Sequence, residues 1–291
     1  MKKALGALLL CSTLSVTTAA TLASSGAAVP APSAAKAATT TDPNPSPQTA
    51  SFSTTGSTTL KTTAGEAVHV RYPTVNGAIA PKRPVVLIGH GMGMGSNMAN
   101  VMNNGAFLNK AGYVTVSSNM DAQSSYTNKA RLMSRALDAV LAAPSLTAGV
   151  LPNRVGYYGG SNGAITGVTM QDPTVRDKRI KAFVLRSPWA REGKPSWTDA
   201  PPILVMLGTA DTTIAPANSR AVYNAMTFPK GKIELSGAKH DMVLSGSNIV
   251  QDSSKAFFAR YLGGVATGLN TISPMITKDT RLNYVFDWTS D

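Results

Sequence analysis

Gly159-Gly160-Ser161-Asn162-Gly163 sets a serine between glycines two residues to either side. This is the G-x-S-x-G pattern of a serine on a sharp strand-to-helix turn, where the crossing backbone admits only small flanking residues. A serine hydroxyl is a poor nucleophile until a base takes its proton, and that base is usually a histidine oriented by a carboxylate. The chain has three histidines, so the base can be sought by elimination. His69 falls in an early strand, before the serine, where packing or solvent is its expected fate. His90 closes another strand and belongs to His90-Gly91-Met92-Gly93. Only His240 follows the serine, in Ser236-Gly237-Ala238-Lys239-His240. The order serine, acid, histidine is the one this kind of turn uses.

Six carboxylates lie between Ser161 and His240: Asp172, Asp177, Glu192, Asp199, Asp211 and Glu234. Asp211 stands out because it follows an apolar run, Ile203 to Leu207, and a short loop. Groups that face ligands in parallel sheets sit beyond the carboxyl ends of strands. Glu234 falls inside an expected strand, and Asp172 and Asp177 flank a helix end. Asp241 adjoins His240 too closely in the backbone to orient its ring. A tetrahedral intermediate also needs N–H donors. The amide of Asn162 is one candidate, and Met92, in the H-G-x-G loop, is the other.

The elements that must position these groups follow from apolar periodicity. Strands are expected at Val68–Tyr72, Pro84–Gly89, Tyr113–Ser117, Arg154–Tyr158, Lys181–Leu185, Ile203–Leu207 and Lys232–Leu235. Helices are expected at Asn97–Lys110, Thr127–Ala143, from Asn162, at Ala217–Met226 and from Ser253 to Leu262, the last capped by Asp252 and ended by Gly263-Gly264. Alternating strands and helices, with strands apolar on both faces, predict an α/β fold: a mostly parallel central sheet with helices on both faces, in a single domain. The tail from about Ala266 reads as irregular.

Composition excludes several classes. Charged residues are 14% of the chain against roughly 25% in an average soluble domain, and 43% are hydrophobic, which argues against disorder and against a coiled coil. One cysteine and three histidines leave no disulfide and no zinc cluster of Cys and His, so no metal and no cofactor is expected. The net charge of +12 is scattered rather than clustered among aromatics, so nucleic acid is not an expected partner. Lys2 and Lys3 precede an apolar run from Ala4 to Leu10, the pattern of a signal peptide. Cleavage after Ala20, Ala28 or Ala37 fits, giving residues 1–37 as the longest leader. Residues 38–50 are Thr-, Ser- and Pro-rich and read as a linker, leaving 51–291 as the domain. Secretion to the periplasm or outside the cell is expected, without stable membrane insertion and as a monomer.

These residues, in this order, resemble the α/β-hydrolase superfamily. More narrowly they are similar to secreted bacterial cutinases and polyester hydrolases, including poly(ethylene terephthalate) hydrolases and dienelactone-hydrolase-like lipases. The similarity spans about Arg71 to Leu262 and is most specific in Asp211-Thr212-Thr213-Ile214-Ala215-Pro216, Glu234 to His240, and Ser187-Pro188-Trp189. It implies an α/β-hydrolase fold, a Ser161–Asp211–His240 triad, an oxyanion hole at Met92 and Asn162, and a substrate cleft walled by Trp189 and Ile214. The sequence departs from that group at Gly160, where Trp or His is usual, at Asn162, where Met is usual, and in lacking the C-terminal disulfide. With glycine at 160, a wider cleft is expected, less selective for flat aromatic acids.

The expected activity is therefore a carboxylic ester hydrolase of the esterase, lipase or cutinase type, acting on a small or polymeric ester through an acyl-enzyme. An acyltransferase would use the same triad with a different acceptor. A non-catalytic binding module on the same fold is the alternative from another class.

Overall fold

The segment Pro84-Val85-Val86-Leu87-Ile88 is apolar on both faces because it has a packed layer on each side. Val85 and Leu87 join one buried cluster, whereas Val86 and Ile88 join another. In a computed structural model of the chain, the residues described are 51–226, 229–244, 247–265, 267–272 and 287–289. The expected signal peptide and linker lie outside them.

The elements run β1 (Thr55–Lys61), β2 (Ala67–Val75), β3 (Ala78–Ile79), β4 (Arg83–Gly89), α1 (Met98–Asn104), α2 (Ala106–Lys110) and β5 (Val114–Ser118). There follow α3 (Tyr126–Ala142), α4 (Pro144–Thr147), β6 (Val150–Gly160), α5 (Asn162–Thr169), β7 (Ile180–Arg186) and β8 (Ile203–Gly208). The chain continues through α6 (Pro216–Ala225), β9 (Lys230–Leu235), α7 (Ile249–Tyr261) and β10 (Asp287–Thr289). Strands lie in the order β1-β2-β5-β4-β6-β7-β8-β9-β10, with β3 forming a short hairpin on β2. From β5 to β9 all neighbours are parallel, and β1, β2 and β10 add antiparallel edges. The fold is α/β, with a mostly parallel sheet.

Helices cover both faces. Leu132, Met133, Ala136 and Leu137 of α3, Ala164 and Val168 of α5, and Val222 and Tyr223 of α6 pack on one side. Val101 of α1, Leu108 of α2 and Phe257 and Phe258 of α7 pack on the other. Because β4 has β5 on one side and β6 on the other, successive connections from it leave in opposite directions. Beyond the carboxyl ends of the strands at such a reversal is the usual place for a ligand in this kind of sheet.

Three expectations about elements need correcting. The helix expected over Asn97–Lys110 is two helices meeting at Gly105, where a Cβ would stand 3.3 Å from Ile88 Cδ1, so the bare backbone steps down onto β4. The last helix starts at Ile249, and Asp252 lies in its first turn rather than capping it. The tail is not wholly irregular: Asp287–Thr289 pairs with Lys230–Lys232 as a short antiparallel edge.

An ion-pair group fastens α6 to the sheet. Glu234 of β9 accepts from Arg220 Nη2 at 2.7 Å, and Lys232 Nζ lies 2.8 Å from its other oxygen. Arg220 and, after it, Lys232 hold the Glu234 carboxyl down at about 2 against the opposing effect of burial. A carboxyl depressed in the folded state stabilises fully above its ordinary value of 4.5, and that stability is lost as pH falls towards 2. Glu234→Gln is therefore expected to flatten the dependence of melting temperature on pH between those limits. At neutral pH it should lower Tm by about 2–4 °C, for roughly 1 kcal/mol. Melting curves of both proteins from pH 2 to 7 check this; parallel curves would refute it.

Candidate active site

Strand β6 runs straight into α5 with one residue between them, Ser161. Its backbone adopts φ 54° and ψ −119°, a left-handed conformation that costs a non-glycine residue about 1–3 kcal/mol. The turn is held from both sides. Ser161 N–H donates to Arg186 O at 2.9 Å, and Ile165 N–H donates to Ser161 O at 2.9 Å. A Cβ on Gly159 would stand 2.6 Å from Gly163 O, and one on Gly163 would overlap the Gly89 carbonyl. Tyr157 OH donates to Gly163 O at 2.7 Å and closes the packing beneath. The two glycines are thus dictated by backbone crossing backbone.

Asp211 and His240 come from the loops after β8 and β9, which are laced together. Ala210 N–H donates to Ala238 O at 3.0 Å, and Gly237 N–H to Thr209 Oγ1 at 2.8 Å. The result is a His240 Nδ1 to Asp211 Oδ2 hydrogen bond of 2.8 Å. Oδ2 also accepts from Ser187 Oγ at 2.7 Å, and Oδ1 accepts from the N–H groups of Thr213 and Ile214, both at 2.9 Å. Burial alone would raise this carboxyl. The bonds from His240, Ile214, Ser187 and Thr213 outweigh it and hold the group below the usual carboxylate range. An ionised carboxylate only accepts, so the ring proton sits on Nδ1 and Nε2 keeps its lone pair.

Ser161 and His240 line one cleft of about 1060 Å³, together with Gly91, Met92, Tyr158 and Gly160. No hydrogen bond joins the Ser161 hydroxyl to the His240 ring among the described residues; such bonds often tighten only when a ligand binds. The Asn162 N–H is the first amide of α5, one of those that a helix leaves without an internal partner. Met92 lines the same cleft and is 69% exposed. Its loop is fastened by His90, which is buried and has both ring nitrogens engaged: Nδ1 with Gly91 O at 2.8 Å, Nε2 with Met120 N–H at 2.9 Å. With Nε2 accepting that proton, His90 is a clamp and has no nitrogen left to act as a base. His69 lies in β2, paired with Thr59 and Ser117.

The structure does not bring Trp189 and Ile214 to the cleft. Ile214 is buried, its amide spent on Asp211, and Trp189 is half-buried with the Arg191 guanidinium 4.6 Å from its ring centre. Nor does Gly160 leave an open wall. A Cβ there would stand 2.6 Å from Arg186 Nη2, so the space that a larger side chain would fill already holds a guanidinium. The cleft expected to be wider at this position is bounded there by the arginine.

Three contributors escaped the sequence. Ser187 donates to the Asp211 carboxylate, and Arg186 lines the cleft. Lys129 of α3, buried, donates from Nζ to Asn162 Oδ1 at 2.9 Å. Burial pushes its ammonium down, while the charges of Asp121 and Glu192 act against that. Only a tertiary contact across the helix layer reveals this lysine beneath the turn.

No protein-family model and no curated protein matches the chain. Among the described residues no cluster of three or more His, Cys, Asp or Glu could hold a metal ion, and no helix is long and apolar enough to cross a membrane.

Proposed function

We propose that this protein is a serine hydrolase of carboxylic esters with an α/β-hydrolase fold, similar to the secreted cutinases and polyester hydrolases. The observation that carries the reading is the pairing of two features in one cleft. One is a serine held at φ 54° on a strand-to-helix turn. The other is a histidine whose outer nitrogen is fixed as an acceptor by a carboxylate at 2.8 Å.

The steps follow from those groups. Ser161 Oγ attacks the ester carbonyl carbon as His240 Nε2 takes its proton, forming a C–O bond and a tetrahedral oxyanion. In this reading the Asn162 and Met92 amides donate to that oxyanion. Asp211 stabilises the imidazolium without taking its proton. The C–O bond to the alcohol then breaks, and His240 returns the proton to the departing oxygen. Water repeats the sequence on the acyl-enzyme, releasing the acid and restoring Ser161.

Incubation with a fluorophosphonate and peptide mass mapping test this directly. The expected result is stoichiometric phosphonylation of Ser161, suppressed by prior incubation with a hydrolysable ester. Absence of labelling in folded protein would overturn the hydrolase reading and leave a binding module on a hydrolase-like fold.

A further inference from the structure

Arg186 ends β7 directly beside Gly160, and its carbonyl holds the Ser161 amide. Its side chain turns back over the cleft wall, with Cζ 5.2 Å from the ring centre of Tyr158, which is itself braced edge-on by Phe107 at 5.6 Å. Guanidinium has five N–H donors and no acceptor. Among the described residues none of those donors has a hydrogen-bond acceptor or a carboxylate partner, and Nε is fully buried without one. A buried N–H without a partner is costly, and the terminal nitrogens of the same fork are accessible to an acceptor in the cleft.

Its surroundings decide where that anion comes from. Arg186 lines the same cleft as Ser161 and His240, and Lys110 and Lys255 line it too, against a single carboxylate, Asp241. Lys255 is paired with Asp252 at 2.7 Å and Lys110 is exposed at the end of α2, whereas Arg186 stands opposite Gly160, next to the serine. The missing side chain at Gly160 is what makes room for it: a Cβ there would stand 2.6 Å from Nη2. The glycine and the arginine, on adjacent strands, act as one feature.

We propose that Arg186 is a specificity residue that binds a carboxylate carried by the substrate, so that the preferred esters are anionic, such as half-esters of dicarboxylic acids. This rests on the ester-hydrolase reading above and adds the substrate class. A planar fork matches a carboxylate with two parallel hydrogen bonds, which an ammonium does not reproduce. The carboxylate can belong to the acyl or the alcohol half of the ester, and two substrate pairs separate these sources.

The first pair is 4-nitrophenyl hydrogen adipate and its methyl-capped analogue; the second is 4-acetoxybenzoate and its methyl ester. For each pair the readout is the ratio of kcat/KM for the anionic ester over the capped one, after subtracting spontaneous hydrolysis. The wild-type ratio is expected to exceed ten in at least one pair, and the pair that shows it identifies the half that carries the charge. Charge-assisted hydrogen bonds of this kind contribute about 10- to 100-fold, so Arg186→Met should reduce that ratio by this factor and Arg186→Lys by less. Gly160→Ala keeps the arginine but displaces its tip, and should reduce the ratio in the same direction should Arg186→Met fail to fold. Equal wild-type rates within both pairs, or a ratio unchanged in the variants, would overturn the proposal. A folded protein that cleaves none of the four esters and takes no fluorophosphonate label would overturn the hydrolase reading and this proposal with it.

Discussion

Replacing Ser161 by alanine is expected to lower kcat on any ester the protein cleaves by roughly 10⁴- to 10⁶-fold, because triad members act as a unit. The loss should fall on kcat rather than KM, since one hydroxyl adds little to ground-state binding. His240→Ala should lose a comparable amount, as the base and the nucleophile are useless apart. What remains should come from amides at Asn162 and Met92, which still stabilise an oxyanion formed by water. The substitution leaves the left-handed backbone strain at φ 54° in place and removes no hydrogen bond of the Ser161 side chain among the described residues. Its Tm should therefore stay within about 2 °C of wild type, the range of ~0.5 kcal/mol for neutral substitutions. Retention of most activity in a folded Ser161→Ala protein would sink the mechanism.

How much of this site could be read from the sequence depends on whether each residue's position is set locally. Gly159, Ser161 and Gly163 fall within five consecutive residues of one turn, so their spacing carries the geometry. Asp211 and His240 are far apart in the chain, yet each follows the carboxyl end of a parallel strand, and parallel strands deliver their ends to the same edge. Arg186 and Ser187 obey the same rule, but an arginine closing a strand reads as solvated. Its direction is set by the Tyr158 ring and by the gap at Gly160, both on the neighbouring strand. Lys129 was hidden for a similar reason, since a lysine within the helical pattern of α3 reads as part of its exposed face. Trp189 and Ile214 show the converse error. They follow strand β7 and Asp211 closely, but the Asp211 carboxylate draws the Ile214 amide inwards, and Ile214 is buried with it.

The fold was legible to the same degree. Central strands advertise themselves by apolar runs, and Val85 to Ile88 could hardly be anything else. Strand β1 was missed because its alternation is carried by threonine and serine, with Leu60 the one large apolar residue at its half-buried positions. Edge strands have one neighbour and a wet face, so hydrophobicity marks them weakly. The break at Gly105 was missed because the apolar residues of α1 and α2 face the same layer, and periodicity alone cannot tell one long helix from two aligned short ones.

Asp211→Asn is expected to lower kcat by about 10⁴-fold with little change in shape, and the reason lies in which atoms may donate. The Thr213 and Ile214 amides both point at Oδ1 at 2.9 Å, so an asparagine must place its carbonyl oxygen there. Its NH₂ then occupies the position of Oδ2 and presents donors to Ser187 Oγ and His240 Nδ1. The serine hydroxyl can rotate and accept. The imidazole can accept only by carrying its proton on Nε2, the nitrogen that must take the proton of Ser161. The base is thereby disarmed although every heavy atom stays in place. Asp211→Ala imposes no tautomer, and the ring it leaves unoriented can still present a free Nε2 part of the time. The isosteric substitution should thus lose at least as much activity as the truncation while melting at the higher temperature. Steady-state kinetics and melting curves for the two variants decide the matter. An Asp211→Asn protein that keeps a tenth or more of the wild-type kcat would show that the Asp211–His240 bond does not set the proton's position during turnover.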